Sequence, residues 1–182
     1  MTKPKSICIF CGSAAGSDPI YVDQGFKLGQ YIAENNMRLI YGGAKIGVMG
    51  AVASGVLEKG GEVIGIIPEF LCSSEIAHDQ LAELIVVENM HQRKSLMHEM
   101  SDGFIALPGG FGTLEELFEV LTWAQLSLHQ KPIGLLNSHG YYDYLTEFIG
   151  IMDKKKFLRK ANKDLLVVSD SFEDLFLKFG FT

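Results

Sequence analysis

Disulfides cannot hold this chain together. Its 182 residues include only three cysteines, Cys8, Cys11 and Cys72, an odd number that fits a reducing compartment. Cys8 and Cys11 are spaced Cys-x-x-Cys, but a redox pair needs its first cysteine at a helix N-terminus. These two lie within and at the end of an apolar run, so they read as buried strand residues. No second pair is available for zinc. Long apolar runs are also missing, and none approaches a membrane span. The first residues, Met-Thr-Lys-Pro-Lys, lead straight into a strand-like run without a secretory signal, so a cytoplasmic location is expected. Positive charge is scarce, with 16 Lys and Arg against 22 Asp and Glu and a net charge of −6. That balance argues against a general nucleic-acid or membrane-surface binder. Several motifs are absent as well: Gly-x-Gly-x-x-Gly, the Gly-Lys-Ser/Thr of a P-loop, His-Glu-x-x-His and Gly-x-Ser-x-Gly. His78, His91, His98, His129 and His139 show no metal spacing, so no metal and no cofactor is expected.

What is present is an ordinary globular composition, 47% apolar and 21% charged, in a length suited to one domain spanning 1–182. Apolar strand-like runs at 6–11, 37–41, 62–67, 84–87, 104–107, 132–136 and 165–168 alternate with helical patterns. Asp18-Pro19 marks one helix start. Asn89, with Gln92 three residues on, marks another as a capping box. Residues 69–80 have no clear period and read as a loop or short helix that could overhang a site. The alternation predicts an α/β Rossmann-like three-layer sandwich with a mostly parallel sheet of about seven strands.

Residues 102–119 stand out. A buried strand at 104–107 passes through Pro108, Gly109, Gly110, Phe111 and Gly112 into a helix from Thr113, with Leu114, Leu117, Phe118 and Leu121 on one face. A glycine-rich strand-to-helix junction lets backbone N–H groups approach an anion, and the helix dipole favours negative charge there. Thr113 and Glu116 also match a plain capping box, Thr-x-x-Glu. Three glycines within four residues exceed what a turn needs and favour the anion site. A second such junction runs from Gly42 to Gly50, followed by small residues suited to packing on a sheet; it reads equally as a packing device or a ligand contact. Arg93 falls in the first turn of the helix from Asn89, where positive charge opposes the dipole. Local conflicts of this kind tend to mark function.

Pro-Gly-Gly-x-Gly-Thr-x-x-Glu at 108–116, together with Met-His-x-Arg-Lys at 90–94, resembles the LONELY GUY (LOG) family of cytokinin-activating phosphoribohydrolases. The resemblance covers nearly the whole chain. It implies hydrolysis of the N-glycosidic bond of a nucleoside 5′-monophosphate, such as prenylated adenosine monophosphate, to free base and ribose 5-phosphate. It implies Arg93 and Glu116 as catalytic residues. Substrate contacts would come from Ser13, Gly43, Lys94, Gly109, Gly110, Phe111, Gly112, Thr113, Leu114 and Glu115. Glu75 would meet the base and Thr122 the ligand. A site at a homodimer interface is also implied. Glu115 points about 100° round the helix from Glu116 and is the weaker catalyst. The family's second segment usually carries a third glycine where Ala44 stands, a departure that matters if the position needs a positive φ. The rival reading is a non-catalytic nucleotide or molybdenum-cofactor carrier on the same fold. A lysine decarboxylase would need a pyridoxal phosphate lysine and its surrounding constellation, which the chain lacks.

Overall fold

The computed structural model describes residues 4–72 and 81–181. Glu75 and His78 therefore lie outside the described residues, and of the expected loop only a 3-10 turn at Glu69–Leu71 is seen. In chain order the elements are β1 (Ser6–Phe10), α1 (Ile20–Glu34), β2 (Arg38–Tyr41), α2 (Gly47–Glu58), β3 (Val63–Pro68) and β4 (Glu83–Val87). Then follow α3 (Met90–Met100), β5 (Gly103–Ala106), α4 (Phe111–Gln125), β6 (Ile133–Leu136), α5 (Asp143–Lys154), α6 (Lys160–Lys163), β7 (Leu166–Ser169) and α7 (Phe172–Phe179). The seven strands form one sheet in the order β4-β3-β2-β1-β5-β6-β7. Every neighbouring pair is parallel.

Strand alternation builds the layers. Ile7 and Ile9 face a core shared with Leu28 and Ile32 of α1, Val52 and Val56 of α2, and Phe176 of α7. Cys8 and Phe10 face the opposite core, closed by Met97 of α3 and by Leu117 and Val120 of α4. Both cores are apolar because a parallel sheet is covered on both faces. Cys8 and Cys11 are buried free thiols, as their place in the first strand's run suggested.

The strand order reverses at β1. The chain steps outward from β1 through β2 and β3 to β4, then returns along α3 to lay β5 on the other side of β1. The loops leaving the carboxyl ends of β1 and β5 diverge there, and in an open α/β sheet such a reversal makes the ligand crevice.

Three local expectations need correction. Asp18 does not cap α1 as the residue preceding its first turn; α1 starts at Ile20, and Asp18 Oδ1 accepts from the Ile20 N–H at 3.0 Å. Thr113 is not an N-cap, because α4 starts two residues before it and Gly110 holds that position. The small residues of α2 serve helix pairing as well as the sheet. A Cβ at Gly55 would meet the Phe26 carbonyl of α1, and one at Gly29 of α1 would meet the Val52 carbonyl.

Gly29→Ala should therefore destabilise the protein by roughly 1–3 kcal/mol, the usual range for an overpacked contact. The obstacle is backbone and cannot swing aside. Urea unfolding checks this, and an unchanged midpoint would contradict the close α1–α2 approach.

Candidate active site

Sequence decides how each wall of the crevice is made. Asn89 caps α3 in earnest: its side chain accepts from the Gln92 N–H at 3.0 Å. Gln92 reaches back to the N–H of Glu88 at 2.9 Å, one residue earlier than a standard capping box would place it. This fixes the first turn of α3 and with it Arg93. The start of α4 is different. Its N-cap is Gly110, which has no side chain to satisfy the first-turn N–H groups. Side chains added at Gly110 or Gly112 would meet open space. Those N–H groups and the positive end of a 15-residue helix consequently face the crevice.

The other glycine-rich junction is built for a different end. The N–H groups of Val48 and Met49, at the start of α2, are taken by the carbonyls of Ala14 and Gly12 at 3.4 and 3.1 Å. A helix start occupied in this way offers little to an anion. Gly43 adopts φ 84° and packs on Ile67. Gly42 clears space: a Cβ there would fall on the Arg93 guanidinium, and its carbonyl accepts from Arg93 Nη2 at 3.4 Å. Ala44 is fully buried and is not among the residues with positive φ, so the methyl group in place of a third glycine carries no backbone strain.

Arg93 and Glu116 meet across the crevice, Nη2 to Oε1 at 4.0 Å, with relative exposures of only 5% and 6%. The surface arginine that a first helical turn would suggest is thus a buried cation opposite a buried carboxylate. Burial pushes the Glu116 carboxyl up to about 7, although the Arg93 charge pulls it back down.

The crevice is a cleft of about 380 Å³ lined by Ser13, Arg93, Gly110, Phe111, Gly112, Thr113, Glu115 and Glu116. Those eight sequence candidates come together. Five others stand elsewhere. Gly109 lies in an adjoining cleft of about 320 Å³ that shares Gly12 and Gly110 with the first. Leu114 packs into the second core. Gly43 lines neither cleft. Lys94 turns away to bridge Glu115 and Glu119, the latter at 3.0 Å. Burial would lower the lysine's pKa, but hydrogen bonds to these two carboxylates outweigh it and raise the value. Thr122 lies about 9 Å further along α4 than Glu116. It donates to the Phe118 carbonyl at 2.7 Å and lines a separate apolar cleft with Leu121, Ile149 and Met152. Glu75 is outside the described residues.

Sequence reasoning missed the apolar side of the cleft, made by Cys11, Met49, Leu71 and Met90. Met90 was within reach, since it opens the helical turn that carries Arg93. Leu71 belongs to the 69–80 stretch expected to be able to overhang a site, although no motif singled it out.

Fold and site together define a Rossmann-like protein with a cleft at the reversal of strand order, onto which an uncapped helix N-terminus opens beside a carboxyl–guanidinium pair. A family model described as "Possible lysine decarboxylase" matches residues 49–179. A cytokinin riboside 5′-monophosphate phosphoribohydrolase of Arabidopsis thaliana is 46% identical, with 97% of this chain and 83% of the relative covered. One from Rhodococcoides fascians is 47% identical over 93% of this chain and 86% of the relative. The chain belongs to this family, the LOG family. Among solved structures, the molybdenum cofactor binding protein of Rippkaea orientalis superposes with a TM-score of 0.70 at 23% identity, covering 98% of this chain and 96% of that one. The Moco carrier protein of Chlamydomonas reinhardtii gives 0.70 at 22%, covering 97% and 99%. At that identity the likeness carries the fold alone.

The Glu116 carboxyl should titrate with a midpoint near pH 7 in a carbon-13 NMR titration. Its folded value lies above the ordinary 4.5, so the protonated form prevails below pH 7 and stability falls as pH rises from 4.5 towards 7. Arg93→Met should move the midpoint upward, because the attraction that favours the carboxylate is lost. A midpoint near 4.5 would contradict the burial of this group.

Proposed function

We propose that the chain, acting as one nucleotide-binding domain, hydrolyses the N-glycosidic bond of an adenosine 5′-monophosphate, including N6-prenylated forms, to free base and ribose 5-phosphate. One observation carries the reading: a buried carboxyl paired with a fixed guanidinium opens onto a helix N-terminus that no side chain caps. Phosphate takes the N–H groups of Gly110 to Thr113, and the ribose then lies over Glu116. As the bond from base nitrogen to C1′ breaks, positive charge develops on the sugar, and the Glu116 carboxylate stabilises it. A water oxygen joins C1′ and its proton goes to Glu116. The departing base nitrogen picks up one proton from solvent while Glu116 returns its proton there, so the base leaves neutral and the carboxylate is restored. Arg93 keeps part of the Glu116 population ionised near neutral pH and offers a cation to phosphate or leaving base. The apolar wall of Met49, Leu71 and Met90 suits a base with a hydrocarbon substituent. The names borne by relatives with 46–47% identity support the same reaction class.

The assembly is read as a homodimer with the site at its interface. Leu126 just past α4, Tyr144 and Phe148 on α5 and Phe157 just past α5 are 62%, 86%, 54% and 91% exposed, large side chains left uncovered at the ends and outer faces of these two helices. Thr122 lies on that side of α4, so a ligand contact through it would require a second copy. Sedimentation equilibrium should give a two-chain particle, and a single-chain mass at micromolar concentration would overturn the dimer. A cytoplasmic location accords with the unpaired thiols of Cys8, Cys11 and Cys72.

Incubation with adenosine monophosphate and, separately, isopentenyladenosine monophosphate tests the reaction by the free base released. Release from the prenylated substrate alone indicates a cytokinin-selective hydrolase, and equal release indicates a general nucleotide hydrolase. Binding without release would favour the carrier reading and overturn the proposal. Arg93→Ala and Glu116→Gln should each lower kcat by about 10²-fold or more while the chain stays folded. Near wild-type turnover in either would remove that residue from the reaction.

A further inference from the structure

The anion turn is held by the doublet Tyr141-Tyr142, which no motif had marked. Three consecutive carbonyls of the turn, those of Leu107, Pro108 and Gly109, each have a fixed donor. The Tyr142 hydroxyl donates to Leu107 O at 2.7 Å, the Gly12 N–H to Pro108 O at 3.1 Å, and the Tyr141 hydroxyl to Gly109 O at 2.8 Å. The next carbonyl, that of Gly110, already belongs to α4 and accepts from the Leu114 N–H at 3.2 Å.

Both tyrosines are themselves braced. Their rings meet edge to face, 4.8 Å apart at 86°, and Tyr21 of α1 packs against Tyr141 at 5.5 Å and 73°. The Tyr142 N–H donates to Asn137 Oδ1 at 2.7 Å, anchoring the doublet to the carboxyl end of β6. Tyr142 is buried at 3% exposure, whereas Tyr141 keeps 43%.

The peptide between Gly109 and Gly110 is the weak point of an anion site. Its two glycines offer little steric resistance to a flip, and a flip would turn the Gly110 N–H away and aim the Gly109 carbonyl at the anion. We propose that Tyr141 is a positioning residue for phosphate binding: by holding the Gly109 carbonyl on the far side of the turn, its hydroxyl keeps the Gly110 N–H directed at the cleft. Tyr142 does the same two residues earlier, for the carbonyl of Leu107. This inference rests on the phosphate site proposed above.

Calorimetric titration with ribose 5-phosphate separates the two readings. Wild type should bind. Tyr141→Phe, which removes only a hydroxyl from a half-exposed ring, should keep its melting temperature within about two degrees and bind about tenfold more weakly, the order expected for one lost orienting hydrogen bond. In turnover the loss should fall on KM, with kcat little changed. The amide resonance of Gly110 in the unligated chain should shift in the same variant. If wild type fails to bind ribose 5-phosphate, the phosphate site and the tyrosine's role fall together. If wild type binds and Tyr141→Phe binds equally well with an unmoved Gly110 resonance, the phosphate site stands and the positioning role is wrong. A variant that loses melting temperature but keeps its affinity would show Tyr141 to be merely structural.

Discussion

The contact between Arg93 and Glu116 sets the terms for the rest of the site. It joins the first turn of α3 to the second turn of α4, two helices that start at the carboxyl edge of the sheet on one face of it. Burying either charge alone would cost several kcal/mol. Opposite charges at 4.0 Å recover about 4 kcal/mol at an effective dielectric of about 20. Desolvation is the larger of the two effects, so the Glu116 carboxyl rests near 7, above its ordinary 4.5, and the Arg93 attraction limits the rise. A carboxyl poised there is ionised often enough to face a developing cation and can still accept a proton from attacking water.

Much of the surrounding sequence accommodates that contact. Gly42 is empty at Cβ because the guanidinium lies there. Lys94, one residue on, bridges to Glu115 and Glu119 and ties α3 to α4 on their outer side, which holds the two helices in register around the pair. Gly110 leaves the α4 terminus open where Asn89 closes that of α3. Placing phosphate there would bring negative charge close to Glu116 and raise its proton affinity further, with Arg93 as the nearby cation to offset it. On the proposed reading, one guanidinium would serve both a carboxylate of the protein and the charge of its ligand.

The sheet was largely legible in the sequence because its strands are continuous apolar runs, buried on both faces. All seven expected strands exist, with ends moved by a residue or two. Strand order was not legible, since it depends on contacts between distant segments. The candidate site was half legible. Glycine spacing marks Gly110 and Gly112, but Thr-x-x-Glu describes either a cap or an interior turn and so leaves the place of Thr113 in the helix open. Charge patterning marked Arg93 as out of place without showing that Gly42 makes room for it. Lys94 read as a ligand contact, and only the packing of α4 beside α3 reveals the carboxylates that occupy it. Tyr141 and Tyr142 were invisible as site residues, because a hydroxyl that orients a carbonyl across 32 or 35 positions leaves no local pattern.

Amide chemical shifts offer the decisive comparison. The Glu116→Gln chain, which should bind without turning over, can be titrated with adenosine monophosphate and with adenosine while the backbone amides are followed. The nucleotide should move the resonances of Gly110, Phe111, Gly112 and Thr113 strongly, and the nucleoside should leave them nearly still. Equal responses to both ligands, or nucleotide responses centred on the loop from Gly12 to Ser17, would mean that the open end of α4 is not where the phosphate binds.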